Sequence, residues 1–329
     1  MIRLKRALAI LTVLLIIGAA FYLYIPPHAG RIQNMNATLG DTKVDVLCVG
    51  SSHVYTGINP IQMYRERGIA AYDLAESSMA PWQSYYYIRE ACKTQHPKLL
   101  IFDTYMVGSK QEENQYLDSE TVINMGSFPF GINKIKALAE SKANSRLDIL
   151  LDFPYSHDDY EGYPGLTTHK SRGIKDYSFG YEYLTGTEPY PDVSDISGIT
   201  DTVPLMEKNE KYLRMIIEYC RDNDIDLLLT NTPWPGISAY EQRYFNRIGE
   251  IAGEYGIPFL NGCLYYGDMG IDYITDCYGE GGHLNYKGVT KYTTFLEDYI
   301  CEHYNLPDRR KDTEYSVYDE GVKWLDERL

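Results

Sequence analysis

The chain predicts an α/β fold, a parallel sheet of about five strands covered by helices, and three observations carry that expectation. Short apolar runs alternate with amphipathic stretches from Lys43 onward. Cap and stop residues stand between them where βα units need them, as at Asn59-Pro60, Gly68 and Gly256. The closing part of the chain returns to the same rhythm after one long interruption. With 44% hydrophobic and 23% charged residues in 329, the chain is of ordinary composition for a protein with a sizeable core.

Met1 to Arg6 carries Arg3, Lys5 and Arg6, and the nineteen residues from Ala7 to Ile25 carry no charge. As a helix they are long enough to span a hydrocarbon core of about 30 Å. The stretch exceeds the usual apolar core of a signal peptide, Tyr22 and Tyr24 suit an interfacial position, and Pro26-Pro27 closes the helix. Residues 1–27 are therefore expected to form an uncleaved anchor, with residues 7–25 in the lipid bilayer. The basic flank places the N-terminus in the cytoplasm and everything after Pro27 outside. Residues 28–42 read as a linker.

Within 43–305 the elements follow in order. Val44 to Val49 reads as a buried strand, and Asn59-Pro60 supplies the cap and first turn of a helix ending at Gly68. Ala70 to Leu74 is the second strand, Pro81 to Lys93 a helix, and Leu99 to Asp103 the third strand. Leu213, Ile216, Ile217 and Cys220 mark the inner face of a later helix, followed by strand Ile225 to Thr230. Tyr244, Ile248, Ile251, Ala252 and Tyr255 repeat the pattern, Gly256 stops it, and Ile257 to Leu260 is the fifth strand. Val289, Tyr292, Leu296, Tyr299 and Ile300 mark a closing helix. Residues 106–204, rich in Tyr, Gly, Asp and Ser with one helical stretch near Ile132 to Lys142, are too many for a structureless loop and should be an inserted lid or subdomain. The charged residues 306–329 read as a surface tail or short helix.

A formal charge of -15 with no basic cluster beyond the N-terminus excludes nucleic acid as a partner. The 32 tyrosines suit stacking on sugars, and equally a compositional habit. The six cysteines contain no C-x-x-C pair; Cys48, Cys92 and Cys220 fall on apolar faces, while Cys263 and Cys277 flank a loop and could be bridged outside the cell. Asn36-Ala37-Thr38 fits a glycosylation sequon. The seven histidines form no H-x-H or H-E-x-x-H pair and no Gly-rich phosphate loop occurs, so no metal and no cofactor is expected.

The chemistry lies in two segments at opposite ends of the chain. Gly50-Ser51-Ser52-His53 follows the first strand, and Glu280-Gly281-Gly282-His283-Leu284-Asn285 precedes the last helix. A serine hydroxyl becomes a useful nucleophile only when an imidazole takes its proton and a carboxylate orients that imidazole. Ser52, His283 and Glu280 supply those groups, with Asp276 as the alternative acid. Ser52 lies where open parallel sheets bind ligands, at a strand's carboxyl end, and the amides of its turn suit an oxyanion. Taken singly, Ser51 and Ser52 read equally as turn residues, His283 as a loop histidine and Asn285 as a helix cap. Ser51, His53, Ser77 and Asp103 are further candidates to line an oxyanion or substrate site. Trp234, between Pro233 and Pro235, would line an acceptor groove or pack a rigid loop, and His157, beside Asp158 and Asp159, would face the cleft or solvent.

Together, strand-Gly-x-Ser at the start and acid-x-x-His before the final helix resemble the SGNH/GDSL hydrolase family, over about residues 43–305. The Gly-x-Ser-His opening with Gly57-Ile58-Asn59-Pro60, and Gly-His-Leu-Asn ending at Gly288, look most like its membrane-tethered branch, which acts in O-acetylation of cell-surface polysaccharides and D-alanylation of teichoic acids. The resemblance implies a three-layer sandwich with Ser52 as nucleophile and His283 as base. It further implies an extracytoplasmic esterase or O-acyltransferase working through an acyl-serine on acyl esters, acetyl above all, of a cell-envelope glycan. A non-hydrolytic accessory protein of a membrane O-acyltransferase, and a glycan-binding module on an inactive hydrolase fold, are the alternatives. The departures lie in the middle blocks. Asp73-Leu74-Ala75-Glu76-Ser77-Ser78 stands where the family has a Gly, Asp103-Thr104-Tyr105 stands where it has Gly-x-Asn-Asp, and Glu280 replaces the usual Asp.

Overall fold

The computed structural model describes residues 2–24, 30–113, 117–151, 173–279 and 282–329. The first helix, α1 (Ile2–Tyr24), has exposed side chains throughout residues 4–18, where side chains are described. The span expected over Ala7 to Ile25 runs past those side chains, and among the described residues no helix is long and apolar enough to cross a membrane.

Residues 28–42 are not an extended linker: they carry α2 (Arg31–Leu39), which buries Ile32, Met35 and Leu39 against the core. Those three positions lie on one helical stripe, a signal hidden by the polar residues between them. Asn36 of the sequon sits on this docked helix and its Oδ1 accepts a hydrogen bond from Thr94 at 3.0 Å.

Five parallel strands form the sheet: β1 (Val46–Gly50), β2 (Ala71–Ala75), β3 (Leu99–Asp103), β4 (Asp226–Asn231) and β5 (Phe259–Asn261), in the order β2-β1-β3-β4-β5. The register sets Val46 opposite Ala71 on one side and Leu99 on the other. Every residue of β1, β2 and β3 is buried, because both faces are covered by helices, and such strands read as continuous apolar runs. Alternate residues feed two cores: Leu47, Val49, Leu100 and Phe102 one, Cys48, Val46, Leu99 and Ile101 the other.

The connections follow from local chemistry. After β1 comes the single turn α3 (Ser52–Tyr55), then α4 (Pro60–Arg67), where the Asn59 side chain accepts hydrogen bonds from the Ile61 and Gln62 amides at 3.1 Å, Pro60 starts the helix, and Gly68 ends it at φ 71°. Helix α5 (Pro81–Ala91) precedes β3. Among the described residues the insertion holds α6 (Leu117–Gly126), α7 (Ile132–Glu140) and α8 (Arg146–Leu151), where one helical stretch near Ile132 to Lys142 was expected. The chain returns through α9 (Glu207–Asp222) into β4, then through α10 (Ala239–Tyr255), capped by Ser238 with Glu241, into β5. A two-residue antiparallel ladder, β6 (Cys277–Tyr278) with β7 (His283–Leu284), leads into α11 (Tyr286–His303), capped by Asn285.

Of the two expectations for residues 306–329, the short helix is present and the segment is docked on the domain rather than a surface tail. Arg309 grips the buried Asp45 through Nε–Oδ2 at 2.8 Å and Nη2–Oδ1 at 3.0 Å, and α12 (Val317–Asp326) buries Tyr318 and Leu325. The charges that suggested a tail lie on its outer face or pair inward. All six cysteines are free, so the bridge between Cys263 and Cys277 is absent: both are buried, and the Cys263 thiol faces the Thr232 carbonyl at 3.6 Å.

One buried charge gives a prediction. Glu297 of α11 is fully buried, Arg67 Nε stands 3.7 Å from Oε2, and neither oxygen has a hydrogen-bond partner. Burial, then the Glu66 carboxylate, pushes its pKa up to about 8. The unfolded chain releases that proton near pH 4.3, so the stability contributed by the protonated carboxyl is full below that value and is lost as pH rises to about 8. Glu297→Gln is expected to change stability little near pH 5 and to stabilise the protein at pH 9 by on the order of 3 kcal/mol, read by thermal melts across pH.

Candidate active site

The sheet order reverses between β1, which pairs with β2 on one side and β3 on the other, and ligands of open α/β sheets bind outside the carboxyl ends of strands at such a switch point. Ser52, two residues past the last residue of β1, is the first residue of α3. The turn is tight: a Cβ on Gly57 would stand 2.1 Å from the His53 carbonyl oxygen, so only glycine lets α3 end there.

His283 reaches Ser52 from the far end of the chain. It opens β7, paired opposite Tyr278 of β6, and the turn between them has left-handed glycines at Gly279 (φ 75°) and Gly282 (φ 68°). His283 Nε2 lies 2.9 Å from Ser52 Oγ. A hydroxyl and an imidazole separated by 231 residues thus share one hydrogen bond, the arrangement that activating a serine requires. The fully buried Asn285 fixes the other end of β7: its Nδ2 donates to Gly186 O at 3.0 Å and Thr275 O at 2.9 Å, while its Oδ1 caps α11 through the Lys287 amide at 3.0 Å.

Glu280 and His157 lie outside the described residues. Asp276, the alternative acid, is committed elsewhere: Lys291 Nζ and the Asp272 amide donate to Oδ2 at 2.6 and 2.8 Å, and Thr275 donates to Oδ1 at 2.9 Å. Burial pushes its pKa up, but these bonds outweigh it and hold the carboxyl below its ordinary value. Asp276 therefore braces the loop ahead of β6, and none of its hydrogen bonds goes to His283.

His53 packs behind the dyad. Its ring stacks on Tyr105 at 3.9 Å, meets Trp234 edge-on at 5.9 Å, and lies 5.0 Å from the His283 ring. Burial, then the neighbouring His283, lowers its pKa well below the ordinary imidazole value, so His53 stays neutral at physiological pH. It packs as part of an aromatic cluster with Tyr105 and Trp234.

Asp103 does not line the cleft. It is buried, and its oxygens accept from Tyr105 N at 3.0 Å, Thr232 N at 2.8 Å and Thr232 Oγ1 at 2.9 Å, tying the ends of β3 and β4 together. Burial raises its pKa against those bonds. The bracket sets Tyr105, which sequence reasoning missed although it stands just past the third strand's carboxyl end. Trp234, 8% exposed, joins Tyr105, Ser78, Lys110 and Glu241 around an open cleft. Ser51 is buried with an unpaired Oγ, and Ser77 is held through its carbonyl by Asn124 Nδ2 at 2.9 Å. Among the described residues, no group of three or more His, Cys, Asp or Glu is placed to hold a metal ion.

No family profile and no curated protein matches the chain. Solved structures with a similar course include a proposed acylhydrolase from Bacteroides fragilis, at 13% identity and a TM-score of 0.41, covering 83% of this chain and 95% of that one. A GDSL-like lipase from Bacteroides thetaiotaomicron matches at 13% identity and 0.40, covering 83% and 100%. A protein from Lactobacillus plantarum matches at 11% and 0.38, covering 80% and 99%.

Proposed function

We propose that the protein is a serine esterase or O-acyltransferase of SGNH/GDSL type that acts on acyl esters, acetyl above all, of a cell-envelope glycan. The observation that carries the reading is the 2.9 Å contact between Ser52 Oγ and His283 Nε2 at the carboxyl edge of the sheet. Ser52 Oγ attacks the acyl carbonyl and His283 Nε2 takes its proton; the carbonyl oxygen gathers negative charge facing the Ser52 amide, which as the first of a helical turn has no intrahelical acceptor. Collapse expels the alcohol, protonated by His283, and leaves acyl-Ser52. Water or a sugar hydroxyl then gives its proton to His283 and attacks the acyl carbon, the bond to Ser52 Oγ breaks, and His283 returns the proton to Oγ, which frees the serine. Glu280, three residues before His283, is the carboxylate assigned to orient the imidazole.

The uncharged stretch Ala7 to Ile25 behind a basic flank supports a single-pass anchor with the catalytic domain outside the cell, next to such a glycan and to any membrane O-acyltransferase partner. The full chain is expected to stay in the membrane pellet through alkaline carbonate extraction; release into the supernatant counts against the anchor.

The test of the chemistry is intact-mass analysis of the folded full chain after treatment with a fluorophosphonate. Oγ attacks phosphorus, fluoride leaves, and the proton passes to His283, so one adduct on Ser52 is expected. A second reading, a non-hydrolytic accessory protein, draws on Asp103-Thr104-Tyr105 standing where the hydrolase resemblance has Gly-x-Asn-Asp, which leaves that block without a side-chain amide for the oxyanion. It predicts a folded protein that forms no adduct.

A further inference from the structure

Residues 182–190 of the insertion cross both halves of the candidate active site. Glu182 N donates to the carbonyl of Tyr55, the last residue of the helical turn that starts with Ser52. Leu184 O then accepts from Tyr286 N at 2.8 Å, Gly186 O from Asn285 Nδ2 at 3.0 Å, and Glu188 N donates to Cys277 O at 2.9 Å. At the end of this strap Tyr190 N donates to Tyr273 O at 3.0 Å, and its phenol turns into the β6–β7 turn. There the hydroxyl donates to Gly279 O at 2.5 Å and accepts from Gly282 N at 3.1 Å.

Those two groups are the same pair that closes the turn, Gly282 N to Gly279 O at 3.2 Å. The phenol therefore reinforces a long hydrogen bond at the neck of a turn flanked by left-handed glycines at Gly279 and Gly282. Glycine corners resist bending poorly, and the ladder behind them is only two residues long. Yet His283 follows Gly282 directly and must hold Nε2 within 2.9 Å of Ser52. Neither glycine has a side chain with which to fix the turn, and among the described residues Tyr190 of the strap supplies a restraint from outside it.

We propose that Tyr190 is a positioning residue for the Ser52–His283 pair: its hydroxyl closes the Gly279–Gly282 turn and so sets the imidazole, while the strap that carries it holds the Ser52 turn through Tyr55. The inference rests on the reading of Ser52 and His283 as a reacting pair. Misplacing a catalytic group by a fraction of an ångström to one ångström costs up to about a hundredfold in rate.

Tyr190→Phe keeps the ring and removes only the hydroxyl. In the full chain it is expected to slow fluorophosphonate labelling of Ser52 by roughly 10- to 100-fold and to displace the midpoint of the rate–pH profile. Tyr183→Phe, which removes a hydroxyl of the same strap that donates to Arg328 O at 3.0 Å, is the control and should label within about twofold of wild type. Equal rates and coincident pH profiles for Tyr190→Phe and wild type overturn the assignment, as does an equal loss in Tyr183→Phe, which would mark general loosening. Amide hydrogen exchange over residues 279–284 reads the clamp without any reactivity. If the folded wild type forms no adduct, the esterase reading fails, and faster exchange at Gly282 in Tyr190→Phe upholds the clamp while unchanged exchange overturns it.

Discussion

Ser52→Ala abolishes the fluorophosphonate adduct and lowers ester cleavage by about 10³-fold or more, with the melting temperature of the protein nearly unchanged. The size of the effect follows from the geometry. Ser52 offers the hydroxyl that His283 meets, and the neighbouring Ser51, whose Oγ is buried and unpaired, lacks contact with the imidazole and cannot replace it. The small effect on stability follows as well: Ser52 is half-buried at the start of a four-residue turn, so the substitution opens no large cavity. His283→Ala should cost a comparable factor, because the hydroxyl then loses its base. The double variant should be hardly slower than either single one, since two residues that act as a unit lose their joint effect once. A measurable residual rate that is the same in all three variants would reflect binding and the amides around Ser52. Full labelling of Ser52→Ala would place the reactive group elsewhere and end the esterase reading.

The parallel sheet was legible because its strands are buried on both faces, which leaves uninterrupted apolar runs such as Leu99 to Asp103, matched residue for residue by β3. Helix α4 was equally legible, since Asn59, Pro60 and Gly68 each have one local physical role. The strands at either end of that clarity slipped: β1 ends on Gly50 and β5 begins at Phe259, because hydrogen-bond partners rather than apolarity decide where a strand stops. Long-range docking was the main blind spot. Residues 28–42 looked like a linker, and 306–329 like a tail or a short helix with no sign of docking, because a helical stripe among polar residues becomes meaningful only against a partner surface, and Arg309 reads as surface charge until Asp45 is found beneath it.

The site divides in the same way. Ser52 and His283, singled out by residue type and motif spacing, meet in one hydrogen bond, whereas Asp103 and Asp276 are taken up by local hydrogen bonds, because a carboxylate near a strand end has the same sequence signature whether it faces a substrate or ties loops together. What separates the two roles is the number of local amides and hydroxyls that saturate the oxygens. Tyr190 left no signal at all among 32 tyrosines.

Tyr318→Ala should destabilise the protein by about 4 kcal/mol, a drop in melting temperature of roughly 10 °C. The ring is fully buried on α12, stacked on Phe179 at 4.2 Å and on Tyr64 of α4 at 4.9 Å, and its hydroxyl donates to Ala71 O of β2 at 3.0 Å. Truncation therefore empties a site walled by the sheet edge, α4 and the start of the segment that leads into the strap, where closely fitted rings cannot collapse into the space. Tyr318→Phe separates the terms: it keeps the packing and loses one hydrogen bond, for about 1 kcal/mol. Because Phe179 O also accepts Asp73 N at 2.9 Å, the damage reaches β2 and the entry to residues 182–190 together. Faster amide exchange in the strap of Tyr318→Ala than of Tyr318→Phe would follow from that coupling. A truncation that left the melting temperature within a degree or two would mean that α12 contributes no folding energy and only rests on the domain.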